Sequence, residues 1–555
     1  MTREQRRLVH PAVLVAAAAA LPYLQTLAFG FVFDDHGQIA GNPRVQSWRH
    51  LAGYFTGDVW RSPAGFPGNY YRPLFLVWLL VNHTLFDGWP LGWHLTSVLL
   101  HVLASLLVWL VARRLAGSTA GLIAGVLFAV HPIHVEAVAW ISGAPEPLLA
   151  VFLLAAFWCY LADRRALSLL AYALALLSKE TAVVLPVLIA AHAWICRSAR
   201  LPGGDRAREA LRRAVPYVLL TAVYGVARQA ALGGLGHARR NIPLGTMALT
   251  WPLLLFTYLK KLFWPVGLSA FDDTPYVGAP DLVHFVLPGL ALAATAVALF
   301  ILARRAAAGV IAFASLWMLI PILPVLNTSV FFRELVHDRY LYLPSVGFAV
   351  LVASAAAGLR ASVAALVACL LASLTVRETI PWATDRRLYE RGVAVAPGSA
   401  MARHGLAVEM DKLGRDDVAA ALLEDNVARD PGYWLSVLAL GILHYRHGRY
   451  DAADRYLTRA LALTPDLASA HDLLARIRME QGRLDEAEAH ARRLIALQPS
   501  AAGHHYELGL ILRRKGELDA ALSEFREELR IDPSSRARTE MEATEAEVRG
   551  KSKRG

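Results

Sequence analysis

Long apolar runs separated by short charged segments fill the first two-thirds of this chain. A helix needs about 20 apolar residues to cross the hydrocarbon core of a membrane. Candidate spans are the runs 9–30, 92–112, 117–131, 147–162, 165–179, 181–196, 214–232, 282–303, 307–326, 341–358 and 361–379. From Pro381 onward the sequence is rich in Arg, Asp, Glu and His and has no long apolar run. The pattern predicts an all-α protein, with a polytopic membrane domain over 1–380 and then a water-soluble domain.

Two further apolar runs carry polar residues that argue against counting them as spans. The run 74–86 is interrupted by Asn82 and His83, and the run 251–264 carries two lysines. Such runs are typical of helices that lie in the membrane interface. The alternative is that they form a crossing pair, which would flip the loops between them and leave the final orientation unchanged.

Arginines between the apolar runs predict which side of the membrane each loop faces. With eleven spans, all of them fall on the cytoplasmic side, as the positive-inside pattern requires. They are Arg3, Arg6, Arg7, Arg113, Arg114, Arg164, Arg165, Arg304, Arg305 and Arg360, together with the loop 197–213. The N-terminus is then cytoplasmic, while the loop 31–91 and residues 381–555 lie outside.

The overall charge adds little to this topology. The net charge of +11 comes from 56 basic and 45 acidic residues. Because the basic residues cluster in short loops, the charge indicates membrane orientation and contact with membrane lipids, and we predict no nucleic-acid partner. The three cysteines show no spacing that would suggest a disulfide scaffold or a zinc site.

The soluble part repeats every 34 residues. The recurring positions are Pro397, Pro431, Pro465, Pro499 and Pro533, then Gly414, Gly448, Gly482 and Gly516, and then Ala419, Ala453, Ala487 and Ala521. This period is the tetratricopeptide signature of two antiparallel helices per repeat. It predicts a linker at 381–399, four repeats at 400–433, 434–467, 468–501 and 502–535, and a disordered tail at 536–555.

A tetratricopeptide α-solenoid presents a concave face that suits an extended peptide. The repeats are therefore expected to bind a protein or peptide. A spacer and a dimerisation surface are the alternatives.

Two adjacent aspartates, Asp34 and Asp35, stand where the first apolar run ends. Charge near the hydrocarbon core is costly and is usually paired or functional. A carboxylate pair that opens the first outer loop is a candidate for acid–base chemistry on a membrane-bound substrate. The alternative is a polar stop at the end of a span.

Three basic residues on the outer side are candidate phosphate ligands: Arg72 at the start of the first interfacial helix, and Lys179 and Arg339 at span ends. Arginine offers a forked set of donors suited to phosphate. Glu180 follows Lys179 directly and belongs to the same candidate site. For each cation the alternative is snorkelling to the interface, which basic side chains at span ends do routinely.

His131, His134 and Glu136 form an HxxHxE motif after the third span. The spacing could suggest a metal, but it lacks a third defined ligand. Contacts to substrate or structural hydrogen bonds are the preferred interpretations, and we predict no metal and no cofactor. A second acidic pair, Asp272 and Asp273, is either a surface turn or a supporting part of the site.

Several segments together resemble the transmembrane and tetratricopeptide-repeat O-mannosyltransferases, within the GT-C class of glycosyltransferases. They are FVFDDHGQIAGNP at 31–43, YYRPL at 70–74, GWHLTSVLLH at 92–101, HPIHVEAVAWISG at 131–143, LLSKE at 176–180 and HDRYLYLPSVGF at 337–348. The resemblance covers nearly the whole chain and implies a GT-C-like membrane domain. It also implies a polyprenyl-phosphate sugar donor, no metal requirement, and a catalytic base in the first outer loop, which is Asp34 or Asp35.

The physical chemistry is consistent with a membrane glycosyltransferase. A lipid-phosphate donor reaches an outer active site, and a carboxylate can remove the proton of the poorly nucleophilic acceptor hydroxyl. The expected reaction moves mannose or another hexose to a protein hydroxyl with inversion, at a bacterial inner membrane and facing the periplasm.

Two rival functions remain at this point. In a transporter the two aspartates would couple ions, but transporter sites lie near the bilayer midplane. In a membrane-anchored scaffold the repeats alone would act, yet one span would suffice as an anchor.

Overall fold

The computed structural model describes residues 3–60, 69–197, 199, 201–233, 242–305, 308–328, 334–356, 358 and 360–552. The chain divides into two compact units, Met1–Ser399 and Ala400–Gly555. Over the described ranges the secondary structure is helical, without any strand. The fold class expected from the apolar pattern, all-α with membrane helices and helical repeats, is confirmed.

The first unit is built from apolar helices with breaks near their ends. Its α-helices are Arg3–Ala20, Pro73–Phe86, Pro90–Ala116, Ser118–Val130, Val135–Ala139, Pro145–Leu161, Arg165–Ser178, Leu185–His192, Gly203–Leu232, Leu244–Phe263, Leu287–Arg305, Ala308–Leu319, Pro344–Ala355, Ala361–Thr379 and Asp385–Val395. Short 3-10 and π segments extend several of them.

Eight helical segments of the described chain are long and apolar enough to cross a membrane. They are His10–Ala28, Pro90–Ala116, Ile141–Leu161, Glu180–Arg197, Gly203–Leu232, Leu282–Arg304, Ala308–Leu326 and Ala361–Ala383. A ninth is the pair Ser118–Val130 and Pro132–Ala139, which bends by 51° between its halves. The bend has a local cause, since a residue before proline is pushed out of the helical region, and His131 is extended (φ −73°, ψ 126°).

Two of the eleven predicted spans are short helices. Arg165–Ser178 has 14 residues and Pro344–Ala355 has 12. At about 1.5 Å per residue these helices reach roughly 21 and 18 Å, which is less than the hydrocarbon thickness of about 30 Å. Length therefore supports eight or nine crossings instead of eleven.

A contact between neighbouring helices nevertheless favours a crossing by Arg165–Ser178. It runs antiparallel to Pro145–Leu161, and Lys179 at its end forms an ion pair with Glu146 in the first turn of that helix. The second helix thus returns to the level at which the first one begins. The chain after Ser178 is consequently on the same side as Glu146.

The two apolar runs set aside as interfacial also form helices. Pro73–Phe86 is apolar but has only 14 residues. Leu244–Phe263 has 20 residues and ends in two lysines, and it is not among the eight segments. Their location in the interface stays a prediction.

A cluster of buried side chains anchors the loop that follows the first span. Tyr54 from this loop, Leu79 from Pro73–Phe86 and Trp93 from Pro90–Ala116 are all fully buried in it. Ile141 joins the same cluster from the turn after the bent pair. The cluster holds the loop against the residues that form the site described below.

The segment predicted as a linker at 381–399 is folded and belongs to the first unit. It contains a 3-10 turn, Ile380–Ala383, and a helix, Asp385–Val395, which we call the connector helix. Trp382 stacks on Trp140, with ring centroids 5.9 Å apart. Aromatic side chains such as Trp382 therefore pack this segment against the first unit. A reading of the segment's composition does not reveal this packing.

The second unit contains the four predicted helix pairs. They are Ala400–Lys412 with Asp416–Arg429, Trp434–Arg446 with Tyr450–Leu463, Ala468–Glu480 with Leu484–Leu497, and His504–Lys515 with Leu518–Ile531. The glycine between paired helices has a positive φ in every repeat, for example 71° at Gly414, which favours glycine at that turn. The recurring alanines, such as Ala453, are fully buried where the paired helices approach each other.

The tail differs from the predicted disorder. Residues Ala537–Ser552 form a helix that packs on the last repeat, with Ala537 and Thr544 fully buried. Arg513 of that repeat forms ion pairs with Glu540 and Glu547. This amphipathic helix covers the apolar end of the solenoid, as terminal capping elements do in repeat proteins.

Candidate active site

The acidic loop, residues 29–36, leaves the first span in extended conformation and turns at Phe33. Phe33 has a φ of 55°, a left-handed conformation that is uncommon for a bulky residue. Asp34 and Asp35 follow this turn directly. Their side chains have different environments.

Asp35 is fully buried and holds the loop to a neighbouring turn. Its carboxylate accepts hydrogen bonds from the Ser142 N–H (2.8 Å), the Ser142 hydroxyl (2.6 Å) and the Val32 N–H (3.1 Å). Burial raises the pKa of Asp35 to about 7, while the hydrogen bonds from Ser142 and Val32 oppose that rise. Because three donors already bind this carboxylate, it stabilises the conformation of the acidic loop.

Asp34 is partly exposed and carries the open carboxylate. Its backbone carbonyl accepts from the N–H groups of Gly37 and Gln38, whereas its side chain has no hydrogen-bond donor within the described part of the chain. Burial raises the pKa of Asp34 to about 6, and the positive charge of Arg339 partly opposes this rise. A free carboxylate with a raised pKa is suited to accept a proton near neutral pH.

Arg339 is fixed in place by Glu136. The Arg339 backbone N–H donates to Glu136 at 2.9 Å, and the guanidinium forms an ion pair with the other oxygen of the same carboxylate. The guanidinium also lies 5.3 Å from the ring of Trp140. Although burial opposes it, the charge of Glu136 raises the pKa of Arg339, so that it stays cationic.

Lys179 pairs with an acid that the sequence analysis did not single out. Its ammonium contacts Glu146, and both side chains are about 95% buried, with exposed fractions of 5% each. Glu180, its neighbour in sequence, points to a different cation. The Lys179 ammonium also lies 5.0 Å from the ring centre of Tyr340.

Arg72 receives Glu180 in a two-point ion pair. Its Nε and Nη2 donate to the carboxylate at 2.9 and 2.6 Å. The guanidinium lies 4.5 Å from the ring centre of Tyr70. Because these bonds use only one edge of the guanidinium, its Nη1 keeps donors for a further acceptor.

The structure brings the three predicted cations into one neighbourhood, which we call the cation cluster (Arg72, Lys179 and Arg339). The ring of Tyr340 lies about 5 Å from both Lys179 and Arg339, and Arg72 interacts electrostatically with Lys179. Each cation has one carboxylate partner. The cluster is therefore close to neutral, but it is lined with N–H donors, and Arg339 places it beside Asp34.

The two histidines of the HxxHxE motif lie elsewhere, in the packed interior. His131 contacts the backbone carbonyl of Leu262 at 2.9 Å, and His134 contacts the hydroxyl of Ser345 at 2.8 Å. Both are buried, and His134 packs 4.2 Å from the ring of Phe128. Of this motif only Glu136 contacts the candidate site, through Arg339, while both histidines form hydrogen bonds within the interior.

Among the described residues, no group of three or more His, Cys, Asp or Glu is placed to hold a metal ion. In the second acidic pair, Asp272 forms a local turn and Asp273 makes a long-range contact. Asp272 accepts from Thr274 at 3.0 Å, and Asp273 accepts from the backbone N–H of Gly398 at 2.9 Å.

An apolar groove of about 440 Å³ lies between the helices Leu244–Phe263, Leu287–Arg305 and Ala308–Leu319. Its walls are almost entirely aliphatic and include Leu255, Leu259, Leu262, Leu292, Leu299 and Leu316. At one end, Leu262 follows Lys261, which forms an ion pair with Asp338, the residue before Arg339. The groove therefore begins near the cation cluster.

Sequence reasoning missed Glu146, Ser142 and Tyr340. Glu146 is an acid in the first turn of an otherwise apolar helix, a recognisable signal of a functional or paired charge. Ser142 and Tyr340 carry no signal of this kind. Their importance arises from contacts with Asp35, 107 residues away, and with the cation cluster.

Two family comparisons match separate parts of the chain. Residues 72–223 match the family of dolichyl-phosphate-mannose-protein mannosyltransferases. Residues 438–502 and 473–536 match tetratricopeptide repeats. The first match includes Arg72, Lys179 and both acids that pair with them.

Similar curated proteins are named as O-mannosyl-transferases. One from Caenorhabditis elegans is 27% identical over 422 residues, which cover 71% of this chain and 59% of that protein. Protein O-mannosyl-transferase TMTC3 of Mus musculus is 29% identical over 186 residues, which cover 33% of this chain and 19% of that protein. This chain thus spans less than two-thirds of the length of these relatives.

Among solved structures, the chain is similar to YrrB, described as a TPR protein with an unusual peptide-binding site. The two are 18% identical, with a TM-score of 0.26, over 28% of this chain and 81% of that one. Together, the mannosyltransferase region, the repeats and the named relatives confirm the resemblance to the transmembrane and tetratricopeptide-repeat O-mannosyltransferases.

Proposed function

We propose that this multi-pass membrane protein is an O-mannosyltransferase that uses a polyprenyl-phosphate sugar. It moves the sugar to an acceptor hydroxyl, most simply that of a protein, on the extracytoplasmic side and with inversion at the anomeric carbon. The family match over 72–223 and the names of the relatives support a mannosyltransferase. The observation that carries the proposal is the open carboxylate of Asp34 beside the cation cluster.

Asp34 acts as the general base in this mechanism. Its oxygen takes the proton of the acceptor hydroxyl as that hydroxyl oxygen bonds to the anomeric carbon. The bond between the anomeric carbon and the phosphate oxygen breaks, and its electron pair leaves with the polyprenyl phosphate. Attack opposite to the leaving group inverts the configuration of the sugar.

Asp35 is the less suitable base because its oxygens are already used. Three donors from Ser142 and Val32 occupy its carboxylate, and it is fully buried. Removing its charge would free Ser142 and loosen the loop. We therefore assign a positioning role to Asp35.

The cation cluster stabilises the charge that develops on the leaving phosphate. Arg72 and Arg339 each keep N–H donors beyond those used by their carboxylate partners. Donors that are already oriented stabilise a developing oxyanion without reorganisation at the moment of reaction. The carboxylate partners hold the three side chains in position while the site is empty.

The apolar groove suits the lipid part of the donor. It is lined by aliphatic side chains of helices that pass through the membrane unit, and its Leu262 end lies near Asp338 and Arg339. A polyprenyl chain placed there would bring its phosphate towards the cation cluster. Burial of apolar surface would then contribute to donor affinity.

The direct test is sugar transfer by the purified full-length protein in lipid nanodiscs. A synthetic polyprenyl-phosphate mannose serves as donor, serine- and threonine-containing peptides serve as acceptors, and mass spectrometry detects the product. Asp34→Asn keeps the shape of the side chain but removes the proton acceptor, so transfer should fall by roughly 100-fold or more.

Asp87→Asn is the matched control. Asp87 is 89% exposed in a loop, and asparagine keeps the shape of its side chain. It should keep the wild-type rate. Wild-type protein that binds the donor but transfers no sugar, or an Asp34→Asn variant with full activity, would overturn the proposed function.

A further inference from the structure

The connector helix, Asp385–Val395, contacts the acidic loop through its first residue. One oxygen of the Asp385 carboxylate accepts the backbone N–H of Phe33 at 2.7 Å. The other lies 2.7 Å from the Nε2 of His36. The Asp385 carboxylate, 349 residues after His36 in the sequence, thus binds the chain on both sides of Asp34. We call this pair of contacts the grip.

These two contacts act on the part of the loop whose conformation is least favourable. Phe33 has a φ of 55°, in the left-handed region, which is unfavourable for a residue with a side chain and persists only where its surroundings enforce it. The Asp385 bond to its N–H supplies part of that enforcement. The Phe33 ring is held as well, 5.7 Å from Trp140, 5.7 Å from Phe271 and 6.4 Å from Tyr389 of the connector helix.

The connector helix is itself firmly attached, so that Asp385 is a fixed point. Thr384 caps its N-terminus by accepting the N–H of Arg387. Arg391 forms an ion pair with buried Glu378 at 2.6 Å and donates to the carbonyl of Leu268 at 3.2 Å. The contacts of Arg391 attach the helix to the rest of the first unit, so that the helix adds little motion of its own to the loop.

Asp35 holds the same loop from the opposite side. It binds the Val32 N–H within the loop and Ser142 in the turn after the bent span. The neighbouring Phe33 N–H goes to Asp385. Two consecutive backbone donors are therefore bound by two different carboxylates just before the open side chain of Asp34.

We propose that Asp385 is a positioning residue for Asp34, and that the connector helix is a structural part of the active site. The proposal deepens the assigned transferase function and rests on it where it concerns rate. Loss of the grip should let Asp34 move relative to the cation cluster. A displacement of about 1 Å at a catalytic group can cost on the order of 100-fold in rate.

Two substitutions separate the contacts. Asp385→Ala removes both acceptor oxygens, and kcat for transfer should fall by roughly 10- to 100-fold. Asp385→Asn keeps one oxygen for the Phe33 N–H, so its loss should be smaller. In both variants the donor KM and the thermal unfolding temperature should stay close to those of the wild type, since Asp385 does not touch the cation cluster or the groove.

Glu390→Gln is the matched control on the same helix. Glu390 is half-exposed and, within the described part of the chain, pairs only along the helix with Arg386, at 3.6 Å. It should leave kcat unchanged. Wild-type kcat in Asp385→Ala, or a loss matched by an equal fall in donor binding and unfolding temperature, would overturn the positioning role.

Hydrogen–deuterium exchange tests the same contact without any sugar transfer. The peptide that spans residues 29–40 should exchange faster in Asp385→Ala than in the wild type, and Glu390→Gln should not change it. Unchanged exchange in Asp385→Ala would refute the grip even if transfer were observed. Faster exchange in a protein that transfers no sugar would uphold the grip and refute only the proposed reaction.

Discussion

At the scale of single residues, two neighbouring aspartates have different environments because of their hydrogen bonds. Asp35 accepts three of them, and Asp34 accepts none from the described residues. The motif places both acids at the end of the first span but cannot distinguish them. The turn at Phe33 does, since it directs one carboxylate into the protein and leaves the other open.

The raised pKa of Asp34 predicts how transfer depends on pH. Below about 6 its carboxyl is protonated and cannot accept the hydroxyl proton, so kcat/KM should fall as the pH drops through that value and level off above it. The profile is measured between pH 4.5 and 8.5 with the purified protein. A phosphodiester donor keeps its charge across this range, and Asp87→Asn should reproduce the wild-type curve. A flat profile between pH 5 and 8 would exclude Asp34 as the base.

Most of the site residues proposed here could be found from the sequence, but their partners could not. Arg72, Lys179 and Arg339 are recognisable as cations at span ends. Their carboxylate partners lie 108, 33 and 203 residues away along the chain. Sequence adjacency even misleads at Lys179, because the neighbouring Glu180 pairs with Arg72. Pairing of this kind depends on the packing of several helices and leaves no local pattern.

At the scale of structural elements, the turn Ile141–Gly143 is set by a close backbone approach. A Cβ at Gly143 would lie 2.7 Å from the carbonyl oxygen of Glu136 and 3.1 Å from the Cα of Ala137. Only glycine lets the turn pass this closely beneath the short helix Val135–Ala139. Ser142, which binds Asp35, depends on that path.

Gly143→Ala should therefore disturb the acidic loop from a distance. The turn must shift to relieve the clash, at a cost of about 1–3 kcal/mol in stability, and the Ser142 bonds to Asp35 should weaken. We expect a lower unfolding temperature and a several-fold loss of transfer. Gly278→Ala is the control because a Cβ there meets nothing within 4 Å. Equal behaviour of the two variants would contradict this account of the turn.

The elements also show where apolar patterning works and where it fails. The 34-residue period predicts every helix pair of the second unit, since each repeat uses the same glycine and alanine at the same places. The connector helix and the tail helix escaped prediction for a different reason. Their short, charged sequences resemble linkers, and they are ordered by tertiary contacts such as those of Arg391 and Arg513.

At the scale of the whole molecule, the topology depends on both short helices, Arg165–Ser178 and Pro344–Ala355. If both cross, the arginine-rich loop 197–213 is cytoplasmic and residues beyond 399 are outside, as the positive-inside pattern predicts. The ion pair of Lys179 with Glu146 supports the crossing by Arg165–Ser178. Reporter fusions at Gly204 and after Ser399 should give opposite signals. Identical signals would refute a crossing by Pro344–Ala355, because four other candidate spans separate the two fusion points and only a fifth places them on opposite sides.

The division into two units predicts separable tasks. The second unit begins at Ala400, and all residues assigned to chemistry lie in the first. Deletion of 400–555 should leave donor binding and transfer to a small free acceptor nearly intact, while transfer to a protein acceptor should drop sharply. Both are measured by mass spectrometry against the full-length protein. A folded truncated protein that no longer binds the lipid donor would contradict this partition.

The pairing of every cation with a carboxylate has a consequence for turnover. After transfer, the polyprenyl phosphate carries more negative charge than the donor did, and three bare cations would retain it strongly. In this site the acids Glu136, Glu146 and Glu180 compete for the same guanidinium and ammonium groups. They can reclaim them as the product departs. In the proposed reaction, this pairing therefore limits product inhibition, at the expense of some affinity for the donor.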